Sequence, residues 1–146
     1  MTRTTLLALA SRVEAMRGPT CVVDVEIAIA VGCAGENSEG ATNIRADPDE
    51  DGWLLFEMAG EPCECCNRAP PYTASLDAAM SLVPSGWKLR QMNFSAPCAD
   101  DRSWHLNLHG GAEGQDCFVG RGATQSLALT AACLRARAIA GSLPND

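Results

Sequence analysis

The stretch from Pro71 to Phe94 limits the fold more than any other part of the chain. Leu76, Ala79, Met80 and Val83 recur at helical spacing and give one apolar face. Ser75 offers a side-chain oxygen to the first free backbone N–H groups. Asp77 puts a negative charge in the first turn, where the helix dipole favours it. Pro84 stops the helix and Gly86 permits a sharp turn. Trp87-Lys88-Leu89-Arg90-Gln91-Met92-Asn93-Phe94 then reads as a strand. A short helix turning straight into a strand calls for a mixed α and β architecture.

The flanking segments extend that pattern. Leu6, Leu9, Val13 and Met16 share a helical face, with Thr4 or Thr5 as the cap and Gly18-Pro19 as the end. From Cys21 to Val31 two periods compete. Val23, Val25, Ile27, Ile29 and Val31 alternate as in a strand, yet the same run fits a buried helix with Asp24 near its start and Gly32 past its end. Residues 32–52 are rich in Gly, Asn, Ser, Asp and Pro and read as a long loop, and residues 59–71 as a second irregular stretch. Between them, Trp53–Met58 is a short strand. Residues 95–101 read as a turn region. In Ser103–His109, Trp104, Leu106 and Leu108 alternate with His105, Asn107 and His109, the signature of a half-buried antiparallel strand. A short strand at Asp116–Val119 follows. The last helix runs from about Thr124 to Ala140, with Leu127, Ala131, Leu134 and Ala138 inward and many alanines to allow close packing.

The length of 146 residues suits one domain, expected to span 1–146 with irregular acidic and cysteine-containing loops in 32–52 and 59–71. The net charge of −7 is unevenly spread: residues 24–64 hold eleven acids and a single base, Arg45. Such a balance disfavours direct binding to nucleic acid, which needs Lys and Arg to displace counterions, and suits a basic partner better. No apolar run approaches the ~20 residues of a membrane span. The apolar run Leu6–Ala10 is shorter than a signal peptide needs, so a cytoplasmic protein without a membrane partner is expected.

Eight cysteines is a high count, and in a cytoplasmic chain they are thiols or metal ligands. Cys21, Cys117 and Cys133 sit among apolar residues and read as small buried hydrophobes. Cys63, Cys65 and Cys66 form the sharpest cluster. With Cys98 as a fourth ligand they would hold a structural zinc, and Cys33 or a histidine are alternatives for that place. The competing reading is ordinary free thiols, because adjacent Cys65 and Cys66 need an unusual turn to share one ion. His105 and His109 lie about 13 Å apart along a strand, so two solvent-facing histidines is the plainer reading than a metal pair. A cysteine nucleophile would need a base such as His105 and an orienting acid such as Asp100 or Asp101, and no cysteine carries a local signature for it. Gly120-Arg121-Gly122 before the last helix is a candidate anion site, with Arg121, Gly122 and Arg90 as its ligand-binding residues. A plain tight turn is the competing reading.

Several runs together resemble a known family. They are Leu7-Ala8-Leu9-Ala10-Ser11-Arg12-Val13-Glu14-Ala15, Asp24-Val25-Glu26-Ile27-Ala28, Tyr72-Thr73-Ala74-Ser75-Leu76-Asp77-Ala78-Ala79, Leu82-Val83-Pro84-Ser85-Gly86-Trp87 and Ala123-Thr124-Gln125-Ser126-Leu127-Ala128-Leu129. The chain resembles the phage ABA-sandwich domain family of small phage and prophage proteins. The resemblance implies an α+β fold, an α/β/α-type sandwich with a small, mainly antiparallel sheet and helices at the N-terminus, centre and C-terminus. It also implies that Asp24–Val31 is helical. It brings no activity and no catalytic residues. The expected function is therefore a non-enzymatic accessory protein that binds a host component in the bacterial cytoplasm, with counter-defence as one purpose. A protein that sequesters a nucleotide-like small molecule and a small zinc-stabilised structural protein are the alternatives. A homo-oligomer is compatible with all three.

Overall fold

Local capping sets the ends of the helices. The computed structural model describes residues 2–95, 103–110 and 116–140. Helix α1 (Arg3–Ala15) starts where the Thr2 side chain accepts the Thr5 N–H, a cap two residues earlier than the sequence suggests. Helix α2 (Cys21–Val31) is capped by Thr20 and closed by Gly32 in the left-handed conformation (φ 73°). Burial of Val23, Asp24, Val25, Ile27, Ala28 and Ala30 covers more than half of the circumference, while apolar Val22 and Ile29 lie on the more open face, so apolar residues on both sides blur the helical period in its sequence. Helix α3 (Leu76–Met80) has Ser75 as its cap, accepting the Ala78 N–H at 3.2 Å. Helix α4 (Gln125–Ala140) is fixed at its start by Thr124, whose hydroxyl accepts the Leu127 N–H at 3.2 Å.

Among the described residues, six strands form two antiparallel three-stranded sheets, giving an α+β fold with helices at the N-terminus, centre and C-terminus. The first sheet joins β1 (Thr42–Ala46), β2 (Trp53–Glu57) and β3 (Cys65–Arg68) in that order. The second joins β4 (Lys88–Ser95), β5 (Ser103–Gly110) and β6 (Asp116–Gly122). Strands β1 and β3 correct the sequence reading, which left both stretches as loops. Each is short and polar, and each exists because β2 supplies its hydrogen bonds. The turn region at 96–101 lies outside the described residues.

The chain divides into two compact units, residues 20–71 and residues 1–19 with 72–146. In the first, Leu54 and Phe56 of β2 are buried while Trp53 and Leu55 are half-buried on the other face. Asn67 of β3 donates to the Ala34 and Glu36 carbonyls, both at 2.9 Å, and so pins the Gly32–Ala41 loop. Arg45 and Glu64 form an ion pair, and the Arg68 guanidinium lies 5.7 Å from the Trp53 ring centroid.

In the second unit, α4 lies on β5 and β6 and packs beside α1. Two glycines make this possible. A Cβ at Gly120 would sit 1.9 Å from the Ala128 carbonyl oxygen, and one at Gly122 would sit 2.6 Å from the Ala128 nitrogen. Bare strand backbone thus meets an alanine-rich helix face at close range. Leu106, Leu108, Leu127, Leu134, Ala131 and Ala138 fill the same core. The buried Thr130 hydroxyl donates to the Tyr72 carbonyl at 3.1 Å, tying the approach to α3 onto α4. Among the described residues, no helix is long and apolar enough to cross a membrane.

Candidate functional site

The three-stranded sheet β4-β5-β6 has two unlike faces. Strand side chains alternate, so Leu106, Leu108, Gly120 and Gly122 face α4, and their neighbours face the other way. The outward set comprises Lys88, Gln91 and Asn93 of β4, Ser103, His105, Asn107 and His109 of β5, and Cys117, Val119 and Arg121 of β6. Gln91, Asn93, Cys117, Val119 and Arg121 are exposed, and the β5 members are half-buried as expected of a central strand. Val119 is 45% exposed, an apolar spot amid polar groups. No Asp or Glu belongs to this outward set.

Two short side-chain pairs order this face. The Ser103 hydroxyl lies 3.0 Å from His105 Nε2, and Cys117 Sγ lies 3.5 Å from His109 Nε2. Cys117 is therefore an exposed thiol beside an imidazole and not the buried hydrophobe its sequence neighbours suggest. Cys21 is likewise exposed, and only Cys133 of that trio is buried. Period-two placement was the missing signal for Cys117: once β6 extends to Gly122, residue 117 falls on the face opposite Gly120. Burial pushes the Cys133 thiol up to about 12 despite the opposing charge of Arg137.

Strand β6 is an edge strand, and two of its backbone groups are occupied by side chains. The Glu14 carboxylate of α1 accepts the Arg121 N–H at 3.0 Å, and Arg135 Nη1 of α4 donates to the Val119 carbonyl at 3.1 Å. The same two side chains meet in a bidentate ion pair, at 2.7 Å between Arg135 Nη1 and Glu14 Oε2 and 2.5 Å between Nη2 and Oε1. Burial alone would raise the Glu14 carboxyl. The hydrogen bond and charge of Arg135, with the Arg121 N–H, outweigh it and hold the group below the ordinary carboxylate value.

Beside this pair lies a cleft of about 330 Å³ lined by Glu14, Met16, Arg17, Ser103, Arg121 and Gly122, among others. It contains two of the three residues expected to bind a ligand, on different terms from those expected. Gly120-Arg121-Gly122 is strand and neither a turn nor a phosphate-cradling loop. Gly122 is buried against α4, and the first turn of α4 is already capped by Thr124. Arg121 is exposed and reaches the cleft. Arg90 sits at the irregularity of β4 between Leu89 and Gln91, two strands away from β6. Arg17 and Ser103 are the cleft residues the sequence did not disclose. Arg17 follows the end of α1 with no local pattern to mark it.

The cysteine cluster is divided by the pleat. Cys65 pairs with Phe56 and Cys66 with Leu55, so the two side chains leave opposite faces of β3. Cys63 lies before the strand, where its carbonyl oxygen is 3.9 Å from Cys65 Sγ. Cys98 lies outside the described residues. Among the described residues no three His, Cys, Asp or Glu side chains converge as a metal site. No protein-family model, curated protein or solved structure matches this chain.

Proposed function

We propose that the chain is a phage or prophage accessory protein acting as a non-enzymatic binding module on a host protein, with the outward face of β4-β5-β6 as its contact surface. The carrying observation is the asymmetry of that sheet. One face is sealed by α4, while the other presents exposed amides, imidazoles, a lysine and an arginine around Val119. An antiparallel sheet face with hydrogen-bonding side chains across it and an exposed apolar residue, Val119, on its β6 strand has features of a recognition surface.

Charge narrows the partner. Lys88, Arg121 and two histidines lie on this face with no acid among the outward strand residues, so an acidic protein surface complements it. The acidic strip in residues 24–64 belongs to the other unit and disfavours a nucleic-acid backbone as the partner. The phage origin rests on the family resemblance of the α1, α2, α3 and α4 sequences. The test is capture from bacterial host lysate at two salt concentrations, followed by reconstitution with the purified partner. A partner bound at low salt and weakened at high salt supports the reading. Capture of nothing, or binding insensitive to salt, counts against it.

A further inference from the structure

We propose that the cleft between the end of α1 and the end of β6 is a binding site for a small phosphate monoester, held by the guanidinium groups of Arg17 and Arg121 and the hydroxyl of Ser103. This site shares Ser103 and Arg121 with the outward sheet face but needs no macromolecular partner, so it can be tested separately from the sheet-face reading.

Three observations converge on it. First, the residues line an open, shallow cleft whose volume of about 330 Å³ lies at the small end of ligand pockets. It fits a phosphorylated small molecule better than an oligomer. Second, its two arginines are exposed and supply positive charge from different elements, Arg17 after α1 and Arg121 from β6. Guanidinium groups match phosphate oxygens as paired donors. Third, Glu14, the acid among the described cleft residues, is already committed. Glu14 would repel an anion if its charge were free, but both of its oxygens take Arg135 and one also takes the Arg121 N–H. The local balance at the mouth is set by Arg17 and Arg121.

The same bonds give the site its order. Because Glu14 holds the Arg121 backbone, the Arg121 side chain leaves from a fixed point of the strand edge. Ser103 Oγ lies against His105 Nε2, so with the imidazole proton on Nε2 the hydroxyl hydrogen is free to donate to a phosphate oxygen. Among the described residues, the charged or titratable groups here are Glu14, Arg17 and Arg121 at the cleft, His105 behind Ser103, and Arg135 from α4. The C-terminal end of α1 opposes an anion here, and Arg17 stands directly beyond it.

The experiment is calorimetric titration of the full chain at low salt with inorganic phosphate and then pyrophosphate as probes, beside Arg17→Gln, Arg121→Gln and Arg90→Gln. All three arginines are exposed, so the variants should fold, and circular dichroism checks this. The expected result is saturable one-to-one binding that weakens about tenfold or more in Arg17→Gln and in Arg121→Gln, the loss typical of one charge-assisted donor set. Arg90→Gln should bind as the parent does. Absence of saturable binding by the parent chain overturns the proposal. So does an equal loss in Arg90→Gln, which would mean diffuse attraction to the basic sheet. Competition by a short single-stranded DNA as strong as that by pyrophosphate would also overturn it, since a phosphate-monoester site should not accept a chain of diesters.

Discussion

Glu14 and Arg135, 121 positions apart in sequence, form a bidentate ion pair that also occupies the free backbone edge of β6. Glu14 takes the Arg121 N–H and Arg135 gives to the Val119 carbonyl. These are two of the groups that an added strand would use. The pair therefore joins α1 to α4, obstructs pairing at that stretch of the β6 edge, and holds the Arg121 backbone at the cleft.

Removing either partner leaves the other charge in a site where each side chain is only 22% exposed. Glu14→Ala and Arg135→Ala should each lower stability by about 1–3 kcal/mol in urea unfolding. The double variant should cost less than the sum of the two, because the shared bond is lost only once. Both single variants should also self-associate more than the parent in sedimentation, since the β6 edge is opened.

Acid should dissolve the same bond. The Glu14 carboxyl is held below its ordinary value of 4.5, so the folded state binds its proton less readily than the unfolded chain. The resulting stability is fully present above that ordinary value and is lost as pH falls through the lower folded-state value. Unfolding of the parent and of Glu14→Gln between pH 3 and pH 7 should show a gap that is constant near neutrality and shrinks below about pH 4.5. A gap that widens toward acid would contradict the direction of the shift.

The glycines of β6 give a sharper packing test. Gly120→Ala would put a methyl group 1.9 Å from the Ala128 carbonyl oxygen, a contact neither backbone can relieve without moving α4. The expected loss is about 3 kcal/mol or more, or failure to fold. Gly18→Ala, where nothing lies within 4 Å, should change stability by less than about 0.5 kcal/mol.

Cysteine accessibility separates the two thiol environments. Cys133 is buried and its thiol is pushed up to about 12, so it should resist alkylation at pH 8 until the protein unfolds. Cys21, Cys63, Cys66 and Cys117 are exposed and should label in the native state. Peptide mapping after a short iodoacetamide pulse reads both outcomes at once.

What the sequence disclosed was mostly local. Ser75 as a cap, Gly32 as a left-handed stop and the alternation in Ser103–His109 each act within a few residues, and each is visible in the chain. The helix at Cys21–Val31 is an intermediate case. Apolar residues lie on both its buried and its more open face, so periodicity pointed to a strand and only the family resemblance favoured the helix. The features that sequence missed are all non-local. Thr42–Ala46 contains Asn43 at a positive φ of 52° and lacks alternation, and only pairing with β2 makes it a strand. Gly120 and Gly122 signal a turn locally, whereas their cause is the approach of α4. Of the candidate ligand-binding residues, Arg121 was legible as an exposed cation. Its companion Arg17 was not, because the cleft forms only when the end of α1 meets the end of β6.

The most direct test of the binding surface is the affinity of the captured host partner for two variants. Asn93→Glu with Val119→Glu places acids at two exposed outward positions of the β4-β5-β6 face that do not line the Arg17–Arg121 cleft. Glu61→Ala, an exposed change in the other unit, serves as the control. The account predicts that the double variant folds normally and loses the partner by about tenfold or more, while the control binds as the parent does. Undiminished binding by the double variant, or a matching loss in the control, would contradict it.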